Sequence, residues 1–152
     1  MFSLIITIIS IALVAALALA TLYYGGSAFN RGSAGAVASQ LINEGQQLNG
    51  AVAVAKADAA AGGTAVVDLQ DLVEGNYLSQ LPASFASMGA TTIATGAVTV
   101  VTNADVCTEV NKRAGHETDI ITATPATAPG MYGCGAIGAT GSEVANTFYY
   151  KF

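Results

Sequence analysis

Apolar side chains fill the start of the chain almost without a break. The first 22 residues are nearly all hydrocarbon, and residues 1–30 contain no charged side chain. As a helix, residues 1–24 rise about 36 Å, enough to cross a hydrocarbon core of about 30 Å. After Gly25-Gly26, Gly32 and Gly35 the pattern changes. Val37, Leu41, Ile42, Leu48, Val52 and Val54 then recur at mostly helical spacings among Gln, Asn and Ala. No proline intervenes, so the glycines weaken the helix without forbidding it. The pattern predicts one long helix over residues 1–60, about 90 Å if continuous, ended by Gly62-Gly63.

Residues 61–152 read as a separate head of short elements. Asp68 is placed to cap a helix over residues 69–74, with Gly75 as a left-handed stop. Residues 96–102 alternate with β-branched side chains and predict a strand. Asn103 or Asp105 begins a helix over residues 106–114, with Cys107 in its first turn, an i,i+4 Glu109–Arg113 pair and Gly115 as the stop. Residues 120–122, 131–137 and 147–152 read as further strands. The Thr-Pro-Ala-Thr-Ala-Pro-Gly stretch between the first two of these is a loop.

Composition narrows the classes. The head is rich in Ala, Gly, Thr and Ser and poor in large apolar residues, so its core needs a cross-link. Cys107 and Cys134 are the two cysteines, with His116 as the sole histidine. A structural zinc site uses four ligands in paired spacings, which this set does not supply. A disulfide is the better reading and implies an oxidising compartment. Closing that loop contributes about 3–4 kcal/mol in the chain-entropy account. The net charge is −5, with Arg31, Lys56, Lys112, Arg113 and Lys151 scattered along the chain. No basic footprint for nucleic acid arises in a lone subunit.

Candidate chemistry is sparse. His116 reads as a solvent-exposed loop histidine. Asp68, Asp71 and Glu74 read as capping and solvating groups rather than a calcium site. Neither a G-x-S-x-G elbow nor a phosphate-cradling glycine loop is present, so the chain is not expected to be an enzyme and implies no metal or cofactor. Tyr23 and Tyr24 suit an interfacial belt or a packed core equally.

The N-terminal run is too long, and lacks the preceding basic residues, for an ordinary secretory signal. As a plain anchor it gives the positive-inside rule little to act on. Its third reading is a helix held in a membrane before assembly and in a filament core afterwards. Leu4, Ile5, Ile8, Ile9, Ile11 and Leu19 distribute bulk around it, while Ala12, Ala15 and Ala16 permit close helix–helix approach.

This arrangement resembles a type IV pilin or one of its pseudopilin relatives. The resemblance rests on the apolar helix at residue 1 and on the segment Leu72-Val73-Glu74-Gly75-Asn76-Tyr77-Leu78-Ser79-Gln80-Leu81-Pro82. It rests also on the Cys107/Cys134 pair near the C-terminus. A Met1 start and a cysteine on a short helix look more like the type IVb branch. The resemblance implies an α+β fold, in which residues 1–60 form the long N-terminal α-helix and residues 61–152 a small head with an antiparallel β-sheet and a disulfide-bounded C-terminal region. It implies removal of a basic leader and methylation of Met1. Gly25 and Gly26 become candidate melting points of the helix.

One position departs from the family. Ile5 stands where pilins usually carry a glutamate that pairs with a neighbour's N-terminal amine, leaving Ser3 and Thr7 as candidate registry hydroxyls. The function so implied is a structural subunit of an extracellular, cell-surface filament, held in the inner membrane before assembly. Its partners are further copies of itself and the pilus assembly machinery. The role would be adhesion, motility, DNA transfer or phage attachment. The alternatives are a secretion pseudopilin and a monomeric membrane-anchored binding module.

Overall fold

Helix α1 spans Phe2–Ala60 in the computed structural model, which describes residues 2–63, 65–86, 96–116, 120–122, 125–137 and 146–152. Gly25, Gly26, Gly32 and Gly35 all lie inside it. The helix ends as anticipated at Gly62, whose φ of +103° suits a residue without a Cβ, while Gly63 N–H donates back to Asp58 O at 3.0 Å. The chain forms two compact units, Met1–Ala34 and Gly35–Phe152, and α1 contributes to both.

Among the described residues, three further α-helices follow: α2 (Leu69–Glu74), α3 (Ala83–Ala86) and α4 (Ala104–Ala114). The described strands β1 (Ala97–Val101), β2 (Ile120–Thr122), β3 (Tyr132–Ile137) and β4 (Asn146–Lys151) make one sheet in the order β1-β4-β3-β2. The fold is α+β, a long N-terminal helix with a small antiparallel sheet, as the sequence implied. The antiparallel core is β1-β4-β3, and the three-residue edge strand β2 joins β3 in parallel, Ile120 against Gly135.

Asp68 caps α2 through a reciprocal box. Its carboxylate accepts from Gln70 N and Asp71 N, and that of Asp71 accepts from Asp68 N (3.1 Å) and Val67 N (2.8 Å). These two backbone donors hold the Asp71 carboxyl below its ordinary range. The stop of α2 differs from expectation. Gly75 has φ −77°, and Asn76 takes the left-handed conformation at φ 58° instead. Gly75 is needed for space, since a Cβ there would lie 2.8 Å from Cδ2 of Tyr77. Tyr77 in turn donates to Asp58 Oδ2 at 2.6 Å, which raises its phenol pKa and ties the segment after α2 to α1.

The pleat sorts the sheet into two faces. Val98 and Val100 pair with Tyr150 and Phe148, which pair on the other side with Tyr132 and Cys134. Tyr132 stacks on Tyr150 with centroids 6.0 Å apart, and Phe85 of α3 meets Phe148 at 6.5 Å. Helix α1 comes close to this face at Gly45, where a Cβ would come within 2.7 Å of Tyr150 Cγ. On the opposite face, buried Tyr149 packs against Ala128 and donates its hydroxyl to Pro129 O, while Lys151 Nζ reaches Ala128 O at 2.6 Å. Residues of both faces are therefore buried along β4.

Gly45→Ala tests the close approach. The substitution improves helix propensity by up to about 1 kcal/mol, but the added methyl displaces the Tyr150 ring. A net loss of about 1–2 kcal/mol is expected in denaturant unfolding followed by near-ultraviolet circular dichroism. Gly50→Ala, where the space is open, is expected to leave stability unchanged or raised.

Candidate functional site

Two regions carry what the molecule offers for function: the uncovered start of α1 and the clasp around Cys134. From Phe2 to Phe29 every large apolar side chain is exposed, from 51% at Ile5 to 85% at Phe2. Leu4, Ile8, Ile9, Ile11 and Leu19 share that exposure, and Ala12, Ala15 and Ala16 lie exposed among them. An 18-residue window of α1 has a mean hydropathy of 2.8, long and apolar enough to cross a membrane by length and composition. At about 25 cal/mol per Å², such a surface strongly favours removal from water.

Three hydroxyls in this stretch bond back to the helix's own carbonyls. Thr7 Oγ1 donates to Leu4 O at 2.8 Å, Ser10 Oγ to Ile6 O at 2.8 Å and Thr21 Oγ1 to Ala18 O at 2.9 Å. Each hydroxyl keeps lone pairs that can still accept a bond from outside. Ser3 lies one turn before Thr7 on the same side, and Met1 lies outside the described residues. Gly25 and Gly26 have nothing within 4 Å of an added Cβ. Tyr23 and Tyr24 meet edge to face at 5.4 Å and are both exposed.

Helix α4 builds the clasp. Asn103 caps it by accepting from Val106 N at 2.9 Å, and Gly115 closes it at φ 75°. Cys107 is bonded to Cys134 with Cα atoms 5.1 Å apart. One turn later on the same face, buried Asn111 donates through Nδ2 to Cys134 O and accepts through Oδ1 from Cys134 N, both at 2.8 Å. Strand β2 begins opposite Gly135, so the amide of Asn111 does for Cys134 what an edge strand would do. One β3 residue is thus held by a covalent bond and two buried hydrogen bonds.

Arg113 departs from the expected pairing with Glu109. Its Nη2 donates to Gly35 O at 3.0 Å and its Nη1 to Ser39 Oγ, so α4 is fastened to α1. Glu44 of α1 works similarly, accepting from Ser84 N at 3.1 Å and from Gln40 Nε2 at 2.7 Å. His116 also departs from expectation. It is half-buried rather than freely solvated, with Nε2 shielded from solvent close to Gly130 and without a hydrogen-bond partner among the described residues.

Sequence reasoning located the cysteines and the apolar helix but missed Asn111, Gly45, Glu44 and Arg113 as structural contacts. The i,i+4 spacing of Cys107 and Asn111 was the one available signal. Among the described residues, no group of three or more His, Cys, Asp or Glu side chains is arranged to hold a metal ion. No protein family, curated protein or solved structure matches the chain. Fold and site together define a small α+β protein with an uncovered apolar helix and a disulfide-clasped head.

Two measurements test the clasp and its surroundings. Asn111→Ala leaves the buried N–H and C=O of Cys134 unpaired and is expected to cost about 2–4 kcal/mol with the disulfide intact, in denaturant unfolding under non-reducing conditions. Burial pushes the Tyr149 phenol up to about 12, against about 10 in an unfolded chain. The folded state therefore retains a proton that the unfolded state releases. Its contribution is fully present below pH about 10 and falls as pH rises toward 12. Unfolding between pH 8 and pH 11.5 should show that decline, and Tyr149→Phe should flatten it.

Proposed function

We propose that this chain is a structural subunit of a type IV pilus-like helical filament, acting by assembly rather than by catalysis. The observation that carries this reading is the exposure of apolar side chains all around residues 2–29 of α1. A bilayer can cover that surface before assembly, and helices of other copies can cover it afterwards. The disulfide-clasped head is suited to an oxidising exterior. On this reading the filament stands at the cell surface, the inner membrane holds the unassembled subunit and an assembly machinery extracts it.

Ile5 removes a charge that would be costly to bury unpaired, and the oxygens of Ser3 and Thr7 become the acceptors for a neighbour's amine. Electron microscopy of sheared surface material, with mass spectrometry of the N-terminal peptide, tests the reading. Filaments composed of this chain, beginning at a methylated Met1, are expected. A protein that remains a detergent-solubilised monomer and is absent from every filament would overturn it. Ser3→Ala/Thr7→Ala is expected to lower filament yield severalfold without changing the unfolding of the head; wild-type yield would remove the registry role of the hydroxyls.

A further inference from the structure

Helix α1 is locally weak just before its head-bound part begins. Gly25, Gly26, Gly32 and Gly35 all fall between residues 25 and 35, and each gives up helical stability that alanine would supply. An added Cβ would meet nothing within 4 Å at the first three, so no close approach in the described chain requires glycine there. Residues 28–33 are exposed, whereas Ala38 and Leu41 are buried. Loosening of the helix therefore starts on the N-terminal side, and it can spread toward the head.

Arg113 meets α1 at this border. Its Nη2 donates to Gly35 O at 3.0 Å and its Nη1 to Ser39 Oγ, while Ser39 Oγ donates to Gly35 O at 2.9 Å. Gly35 and Ser39 are one turn apart, and within an α-helix the N–H of the second bonds the carbonyl of the first. The guanidinium fork thus spans both ends of a single helical hydrogen bond. Unwinding of that turn parts the fork's two acceptors, so turn and fork hold or release together. A lysine ammonium, being a single point of charge, cannot bridge the two in the same way.

The far end of the bridge is firm. Helix α4 is joined to β3 by the Cys107–Cys134 bond and by Asn111, and Tyr132 Oη donates to Arg113 O at 3.4 Å. Arg113 itself is exposed, so its guanidinium can let go without opening the buried sheet.

We infer that Arg113 is a conformational stop in α1. By bridging Gly35 and Ser39 it keeps unwinding that begins in the glycine-rich stretch from running into the head-bound helix. Its release frees one turn while the sheet stays folded. The stop is independent of what covers residues 2–29, so it stands or falls separately from the filament reading.

Amide hydrogen exchange on the full-length chain in detergent micelles, under non-reducing conditions, tests the stop. Arg113→Ala is expected to speed exchange at residues 36–39 at least tenfold while leaving residues 51–55 and β4 within twofold of wild type. Arg113→Lys, which keeps the charge and loses the fork, is expected to speed the same amides at least threefold. Gly32→Ala/Arg113→Ala, which strengthens the helix where loosening begins, is expected to slow them at least threefold relative to Arg113→Ala alone.

Wild-type exchange at residues 36–39 in Arg113→Ala would overturn the stop. So would an equal rise at residues 36–39, residues 51–55 and β4, which would make Arg113 an ordinary stabilising contact. Wild-type exchange in Arg113→Lys would show that charge alone acts and overturn the bridging role of the fork. No slowing in the double variant would show that the loosening does not come from the glycine-rich stretch, and would overturn the stop as well.

Discussion

The free-energy cost of leaving hydrocarbon in water governs both parts of α1, with opposite outcomes. In the stretch from Leu41 to Ala55 the head covers Leu41, Ile42, Leu48, Ala51, Val52 and Ala55, whereas Val54 stays exposed. From Phe2 to Phe29 the apolar positions face every side, and no part of the described chain covers them. The head is therefore partly a device for burying one stripe of a helix whose other apolar surface belongs to a different environment. That uncovered stretch is long and apolar enough to cross a membrane by length and composition.

Few large side chains are available for the head, and polar contacts do much of the positioning. Glu44 holds the start of α3, Asp58 holds Tyr77, and Arg113 fastens α4 to the helix at Gly35 and Ser39. Each joins segments distant in sequence to α1. Such contacts contribute modestly one at a time, but they fix direction, which apolar burial does not. The Cys134 clasp follows the same logic, with bonds of two kinds converging on one strand residue. Glycine adds the remaining precision at Gly45 and Gly75, where a methyl group has no room beside a tyrosine ring.

Legibility in the sequence followed the range of the interaction. The long helix, the cap at Asp68, the stop at Gly115 and the strands depend on local propensity and periodicity and could be read, while the next cap was narrowed to Asn103 or Asp105 and proves to be Asn103. The four-residue α3 has too little pattern to announce itself. Gly75 misled because a glycine after a helix usually supplies positive φ, whereas here Asn76 does so and Gly75 yields space to Tyr77. Arg113 had a good local partner in Glu109 and took a distant one. Asn111 looked like a polar residue on a helix because its partner, the backbone of Cys134, is a product of the tertiary fold. His116 was read from its charged neighbours, yet its ring lies close to Gly130, which is distant in sequence.

The sheet order also bears on how the head reaches its native state. Strand β4 lies between β1 and β3, and its register joins residue 97 to residue 151. Neither neighbour pairs with the other, so the antiparallel core has no nucleus until residues 146–151 are in place. Closure of so long a loop is entropically slow, whereas α1 is built from contacts within single turns and can form at once. During synthesis the helix would thus present its Leu41–Ala55 stripe for some time before the sheet arrives to cover it. That interval, more than the finished structure, is when an exposed stripe of this kind needs protection from aggregation.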